Sequence, residues 1–97
     1  MTALAELSIF PLDKGVSLGP YVARVLKVIQ NSGLEYELGP MGTCLQGEFE
    51  QVMQTVKDCY QELEQDCQRV YLTLKMDCRK DRQDPMHSKV SSVQENL

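Results

Sequence analysis

The segment from Thr43 to Glu48, Thr-Cys-Leu-Gln-Gly-Glu, carries the residue types best suited to binding a small ligand. It leads from a predicted strand into a predicted helix, and Gly47 permits a tight bend between them. A Thr43 hydroxyl and a Glu48 carboxylate at this junction would offer a hydrogen-bonding group and a negative charge to a cationic ligand. A purely structural interpretation stays open, because Glu48 and Glu50 in the first helical turn would also stabilise the helix dipole.

Side chains that could perform acid–base or nucleophilic catalysis are scarce. His87 is the only histidine, so any catalytic serine or cysteine would have to use it, and its polar surroundings near a helix start are typical of a surface residue. Glu35 and Glu37 share one face of a strand, but pairs of carboxylates on an exposed face are usually solvated and not catalytic. No glycine-rich loop has dinucleotide-binding or P-loop spacing. The sequence therefore predicts that the protein is not an enzyme and has no catalytic residues.

The four cysteines form no Cys-x-x-Cys or cysteine–histidine pair at metal-binding spacing. We therefore expect no metal site and no cofactor, and we interpret the cysteines as free thiols in a reducing compartment. No run approaches the roughly 18 apolar residues that span a bilayer, and the N-terminus has no basic segment preceding an apolar one. These features predict a cytoplasmic protein without membrane contact.

The charge balance argues against a nucleic-acid partner. The sequence contains ten Lys and Arg residues and 14 Asp and Glu residues, which gives a net charge of −4, and no block of basic residues is present. Binding to nucleic acid requires clustered cations that neutralise phosphates. The acidic balance is compatible with a cationic ligand, and the length predicts one domain over residues 1–97.

Alternation of apolar and polar residues predicts four strands. They cover residues 1–12, 34–38, 43–46 and 69–79. Pro11 ends the first strand, because proline cannot donate to a strand ladder. The short connection over residues 39–42 makes the second and third strands an antiparallel pair.

Apolar residues at intervals of three and four predict three helices. The first begins at a Ser17 N-cap and ends before Gly33, the second covers residues 48–65, and the third follows an Asp84 N-cap with Pro85 at the first helical position. The apolar stripe expected in the first helix is Leu18, Val22, Val25, Leu26 and Ile29. In the second helix it is Phe49, Val52, Met53, Val56, Tyr60 and Leu63, with Cys59 at its border.

The element order β-α-β-β-α-β with an appended C-terminal helix predicts an α+β, ferredoxin-like antiparallel sheet. Right-handed crossovers place the first two helices on one face of that sheet. The opposite face, called the open face below, would carry large apolar groups beside hydrogen-bonding ones: Leu4, Ser8, Phe10, Tyr71, Thr73 and Lys75. Such a patch is typical of an interaction surface and predicts self-association as a dimer or tetramer. A half-solvated sheet is the alternative.

Short motifs over about residues 5–95 occur in the order and spacing of a known family. They are Ile9-Phe10-Pro11, Tyr21-Val22-Ala23, residues 32–36, residues 39–43, Gly47-Glu48, Arg69-Val70, Lys75, Asp77, Arg79, Asp81, Lys89-Val90 and Val93. With these residues the chain resembles the small thiamine-binding proteins of ferredoxin-like fold.

The resemblance implies binding of thiamine or a related pyrimidine, no enzymatic activity, and assembly into dimers or tetramers. Thr43 and Glu48 fall on the family's Gly-Thr and Glu-Gly-Glu positions. Gln46 stands where that triplet has its first glutamate. If the glutamate contacts ligand in the family, this substitution would weaken binding or alter the ligand.

Thiamine joins a permanently positive thiazolium to an aminopyrimidine with donor and acceptor edges, so its site needs an apolar wall, an anion and fixed polar groups. The candidate ligand-binding residues are Ile9, Pro11 and Leu45 for the wall, Thr43 for the polar group, Gly47 for the bend and Glu48 for the anion. The alternative function is a structural or regulatory homo-oligomerisation module that binds no small molecule.

Overall fold

The computed structural model describes all residues from Met1 to Leu97, which form four strands and three helices. The strands are β1 (Thr2–Pro11), β2 (Glu35–Leu38), β3 (Thr43–Glu48) and β4 (Val70–Arg79), and the helices are α1 (Gly19–Asn31), α2 (Phe49–Glu64) and α3 (Pro85–Glu95). Every strand pair is antiparallel, and the strand order is β2-β3-β1-β4. The predicted ferredoxin-like α+β fold with an additional C-terminal helix is confirmed.

The alternation predicted for β1 is confirmed by its burial. Ala3, Ala5, Leu7 and Ile9 face the two helices and are buried, while the residues between them are half-buried. The core closes over them with Ile29 from α1, Leu45 from β3, and Val52 and Leu63 from α2. One face of the sheet is therefore covered by α1 and α2.

The buried side of α2 differs from the predicted stripe. Its buried residues are Val52, Thr55, Val56, Cys59 and Leu63, whereas Phe49, Met53 and Tyr60 are 36–39% exposed. Cys59 lies at the centre of this face, with its thiol 3.9 Å from the carbonyl oxygen of Val25 in α1. The apolar residues of α2 extend over more than one side, and the contact with α1 decides which of them are buried.

The start of α1 lies one residue beyond the predicted cap. Leu18 is the N-cap residue, and its carbonyl oxygen accepts hydrogen bonds from the N–H groups of Tyr21 and Val22, at 3.0 Å each. Ser17 is exposed, while Leu18 is half-buried. The Ser17 side chain forms no cap hydrogen bond, because the first helical turn closes on the Leu18 carbonyl oxygen.

The helix α3 packs on the open face, against β3. The Met86 N–H donates to Oε1 of Gln46 at 2.9 Å, and Nζ of Lys89 lies 2.6 Å from a carboxylate oxygen of Asp77. Only the first turn is buried, through Pro85 and Met86. The helix therefore covers one end of the open face and leaves the rest uncovered.

Candidate functional site

A cavity of about 250 Å³ lies at one end of the sheet, between β1, α1 and the β2–β3 connection. Most of its lining is apolar. The complete apolar stripe predicted for α1 forms one wall, and Leu7 to Phe10 of β1 form another. The third wall is formed by Leu38, Thr43 and the connection between them over residues 39–42, for which the sequence indicated only a turn.

The cavity exists because β1 continues past the beginning of β3. Pairing between these strands ends at Leu7 opposite Thr43, whereas pairing of β1 with β4 continues to Pro11 opposite Val70. The hairpin before β3 turns back tightly, with the Gly39 N–H donating to the Gly42 carbonyl oxygen at 2.8 Å. A Cβ atom at Gly39 would lie 2.9 Å from that same oxygen, so only glycine permits this turn.

The cavity lining includes two residues that carry hydroxyl groups, and neither hydroxyl has a protein hydrogen-bond partner. Thr43 is 5% exposed, and Ser8 is half-buried on β1. Small-molecule sites commonly combine an apolar wall with a few such polar groups. The alternation of β1 turns the Ser8 side chain towards the open face, so the Thr43 hydroxyl, on the same side of the sheet as Leu7, is the one available to a ligand in the cavity.

The structure brings two of the six predicted ligand-binding residues together, Ile9 and Thr43, which both line the cavity. Pro11 and Leu45 are buried in the core outside this lining. Gly47 also lies apart, where an added Cβ atom would meet the Leu34 side chain at 2.7 Å.

Glu48 lies at the other end of β3 and on its other face. Thr43 is paired with Leu7, and Glu48, five residues later, is paired with Thr2. That separation corresponds to about 16 Å along a strand, and the odd spacing turns the two side chains to opposite faces. The two residues therefore do not share a pocket within one chain, in contrast to the predicted arrangement.

The backbone of Glu48 also differs from the prediction. It is extended, because β3 continues through this residue and α2 begins at Phe49. The Glu48 carboxylate lies 3.0 Å from the Met1 amino group and is mostly exposed, in a polar recess that Lys80 and Arg82 also line.

Glu6 is a carboxylate near the cavity that sequence reasoning missed. Its carboxyl carbon lies 3.6 Å from the position of an added Cβ atom at Gly42, a lining residue. The Glu6 carboxylate also lies 3.3 Å from Nζ of Lys75. The alternation of β1 puts Glu6 on the same side of the sheet as Leu4 and Ser8, and no local signal indicates that the hairpin would approach it.

Gln46 holds α3 against the sheet and does not line the cavity. Its amide nitrogen donates to carboxylate oxygens of Glu35 and Asp84, and its oxygen accepts from the Met86 N–H. A glutamate here would add a third carboxylate to this cluster and remove the donor. The contacts of Gln46 therefore concern the attachment of α3.

His87 completes the cluster, and the resulting group of Glu35, Asp84 and His87 was not anticipated from the sequence. Nδ1 of His87 lies 2.7 Å from the Asp84 carboxylate, and the potential metal-ligand atoms of the three exposed residues lie within 4.8 Å of one another. The hydrogen bond and charge of Asp84 raise the pKa of His87 above 6.5. Hydrogen bonds from Gln46 and then His87 lower the pKa of Asp84.

Burial opposes thiolate formation at three of the four free cysteines. It raises the pKa of the Cys59 thiol to about 12, and it is also the main cause of the raised pKa values of Cys44 and Cys67. Such thiols are poor nucleophiles.

None of the three helices has the length and apolar character needed to cross a bilayer.

The fold and cavity define a class: ferredoxin-like α+β proteins with a mostly apolar recess at the end of the sheet. Residues 5–94 match the family described as "Thiamine-binding protein". The chain belongs to this thiamine-binding protein family.

Two relatives are similar over almost their whole length. UPF0045 protein MJ1052 of Methanocaldococcus jannaschii is 34% identical over 92 residues, covering 95% of this chain and 92% of that protein. Its crystal structure has a TM-score of 0.89, with 97% of both chains covered. A Thermotoga maritima protein proposed to act in thiamine biosynthesis or salvage is 29% identical, with a TM-score of 0.84 and coverage of 96% and 99%.

Proposed function

We propose that this chain binds thiamine or a related pyrimidine, without catalysing a reaction, in the cavity lined by Ile9 and Thr43. The observation that carries the proposal is this mostly apolar cavity with a free Thr43 hydroxyl, in a chain of the thiamine-binding family. The Thermotoga maritima relative, proposed to act in thiamine biosynthesis or salvage, supports the same ligand class.

The size and polarity of the cavity favour the pyrimidine half of thiamine inside and the thiazolium outside. A volume of about 250 Å³ is just below the 300–1,000 Å³ typical of small-molecule sites, so it suits one substituted ring. Burying a permanent cation without a partner is costly. At the cavity edge the thiazolium would remain hydrated, with Glu6 close to the hairpin at Gly42.

Binding rather than catalysis is favoured by the chemistry of the lining. None of its side chains is a carboxylate, imidazole, thiol or amine, the groups that usually transfer protons or attack substrates. The free cysteines fit a reducing compartment, so we place this binding in the cytoplasm.

Thermal unfolding with added thiamine tests the proposal. At a free concentration of about 100 times Kd, ligand linkage adds about 2.7 kcal/mol to the free energy of unfolding. In a chain of this size that raises Tm by roughly 10 °C or more. Choline, a permanent cation without a pyrimidine, is the control and should produce no shift. Equal Tm values with and without saturating thiamine would contradict the proposal and favour an oligomerisation module without a ligand.

We further propose that the protein self-associates through the open face. Phe10 and Tyr71 form a stacked aromatic pair there, with ring centroids 5.7 Å apart, and the Tyr71 side chain is half exposed. β4 is also a ten-residue edge strand, which offers unpaired backbone groups to another chain. A second copy covering this face would bury the aromatic pair.

A further inference from the structure

The backbone of Ile9 offers a hydrogen-bond donor and an acceptor that no other part of the protein uses. The N–H of Leu12 donates to Arg69 next to β4, and the N–H of Phe49 donates to Met1 in continuation of the β1–β3 ladder. In an antiparallel ladder, alternate residues direct their backbone groups to opposite neighbours. Even-numbered residues of β1 therefore bond towards β4, and odd-numbered residues bond towards β3.

Ile9 is odd-numbered and lies two residues beyond Leu7, the last residue of β1 that is paired with β3. Its N–H and C=O consequently point into the gap where β3 is missing, which is the cavity. No backbone or side-chain group bonds to either of them, and Ile9 is only 6% exposed. Buried backbone groups are almost always paired, so a ligand that fills the cavity must supply partners for these two groups.

We propose that the Ile9 backbone recognises the aminopyrimidine edge of the ligand. The Ile9 N–H would donate to a ring nitrogen, and the Ile9 C=O would accept from the adjacent exocyclic amine. The ligand would thereby occupy the place of the missing β3 residue, as a peptide does when it extends a sheet edge. This inference rests on the proposed function and assigns the specificity of the same cavity to one residue.

The arrangement predicts discrimination by the amino group. In the 4-oxo analogue of thiamine, the ring nitrogen carries a hydrogen and the exocyclic group is a carbonyl. The ligand's donor would then face the Ile9 N–H, and its acceptor would face the Ile9 C=O. A site built to bond one polar pattern rejects ligands that leave its buried groups unpaired. We expect the 4-oxo analogue to bind at least about 100-fold more weakly than thiamine.

Amide hydrogen exchange of the unmodified protein tests the assignment directly. Without ligand, the Ile9 N–H has no acceptor and should exchange faster than the ladder-bonded N–H groups of Ala5 and Leu7. Saturating thiamine should slow exchange at Ile9 at least about tenfold. Ala5 and Leu7 report the slowing that comes from the higher global stability alone. If calorimetry shows binding but exchange at Ile9 is unchanged, the inference fails while the proposed function stands. If thiamine does not bind at all, both fail.

The variant Ile9→Pro removes the donor without removing a ladder bond, and β1 already contains Pro11 at an equivalent odd position. We expect at least tenfold weaker thiamine binding and loss of the preference over the 4-oxo analogue. The matched control Ile9→Val keeps the N–H and should retain the preference for thiamine over the 4-oxo analogue, whatever the smaller side chain does to affinity. Retained preference in Ile9→Pro would overturn the inference, and if that variant does not fold, the exchange measurement decides.

Discussion

Two buried threonines, Thr43 and Thr55, differ in what their hydroxyl groups contact. The Thr55 hydroxyl donates to the Gln51 carbonyl oxygen at 2.9 Å, within α2. The Thr43 hydroxyl has no protein partner and lies in the cavity lining. At the residue scale, the same side chain therefore stabilises the fold at one position and remains available to a ligand at the other.

Replacing these threonines with valine should separate the two roles. Thr43→Val should weaken thiamine binding about five- to tenfold, because one lost hydrogen bond costs roughly 1 kcal/mol. The free energy of unfolding should not fall, since the Thr43 hydroxyl bonds to no other part of the protein. The control Thr55→Val should lower the free energy of unfolding by about 1 kcal/mol and leave affinity unchanged. Calorimetry and urea unfolding provide the two readouts, and unchanged thiamine affinity in Thr43→Val would remove this residue from the site.

Two carboxylates compete for the role of anion beside the thiazolium. The sequence predicts Glu48 for this role, whereas Glu6 lies near the cavity hairpin in the structure. Glu6→Gln should therefore weaken thiamine binding a few-fold relative to a neutral pyrimidine analogue, the modest effect of an exposed charge. Glu48→Gln should leave the ratio of the two affinities unchanged. The opposite result in calorimetry would restore Glu48 and require a different position for the ligand.

At the scale of elements, α3 is attached through charged contacts at its beginning. The cluster of Gln46, Glu35, Asp84 and His87 lies at its first turn, and Asp77 binds Lys89 one turn later. Val90 and Val93 are more than half exposed, so apolar burial does not hold the remainder of the helix. The attachment of α3 should therefore depend on pH.

The direction of this dependence follows from two pKa shifts. The pKa of His87 is raised above 6.5 by Asp84, Glu35 and Glu37, so its contribution is complete below about pH 6.5 and is lost as pH rises through the folded value. The pKa of Asp84 is lowered below 3.8, so its contribution is lost as pH falls through that lower value. Attachment should be tightest between these limits.

Protection of the Ser88 amide, which donates to the Asp84 carbonyl oxygen, provides the readout for α3. Its protection factor should fall between pH 6 and pH 8.5. In His87→Gln the factor should already be low at pH 6 and should change little over this range. A protection factor that is independent of pH in the unmodified chain would show that His87 does not hold the helix.

At the scale of the whole molecule, the two faces of the sheet have different coverings. The helices α1 and α2 bury one face, and α3 covers only one end of the other. The stacked Phe10 and Tyr71 remain on the uncovered part. An exposed apolar patch of this kind is typical of a contact with another chain.

Matched tyrosine substitutions test self-association. Tyr71→Lys places a charge on the open face and should raise the dissociation constant of the oligomer at least about tenfold, since a buried unpaired charge is costly. Tyr60→Lys makes the same change on α2, where the side chain is 39% exposed, and should leave assembly unchanged. Light scattering during gel filtration measures both. A wild-type chain that is monomeric at every concentration would contradict the expected assembly.

The elements and their order were predictable from the sequence because periodicity is a local property. The alternation of Ala3, Ala5, Leu7 and Ile9 identified β1 and its buried face, and the apolar stripe of α1 identified the helix that forms one cavity wall. Thr43 and Ile9, two candidate ligand-binding residues from the sequence, both line the cavity, and their role in binding stays a prediction.

Only the tertiary structure decided where the cavity lies and which residues share it. The β1–β3 ladder ends at Leu7 while the β1–β4 ladder continues, which leaves the Ile9 backbone without a strand partner. The length of β3 separates Glu48 from Thr43. Packing of α3 on β3 also brings Gln46 close to Asp84 and His87, which are distant from it in the sequence. The physical reason is that register and packing depend on pairs of segments, and the pattern within one segment does not specify where its partner begins.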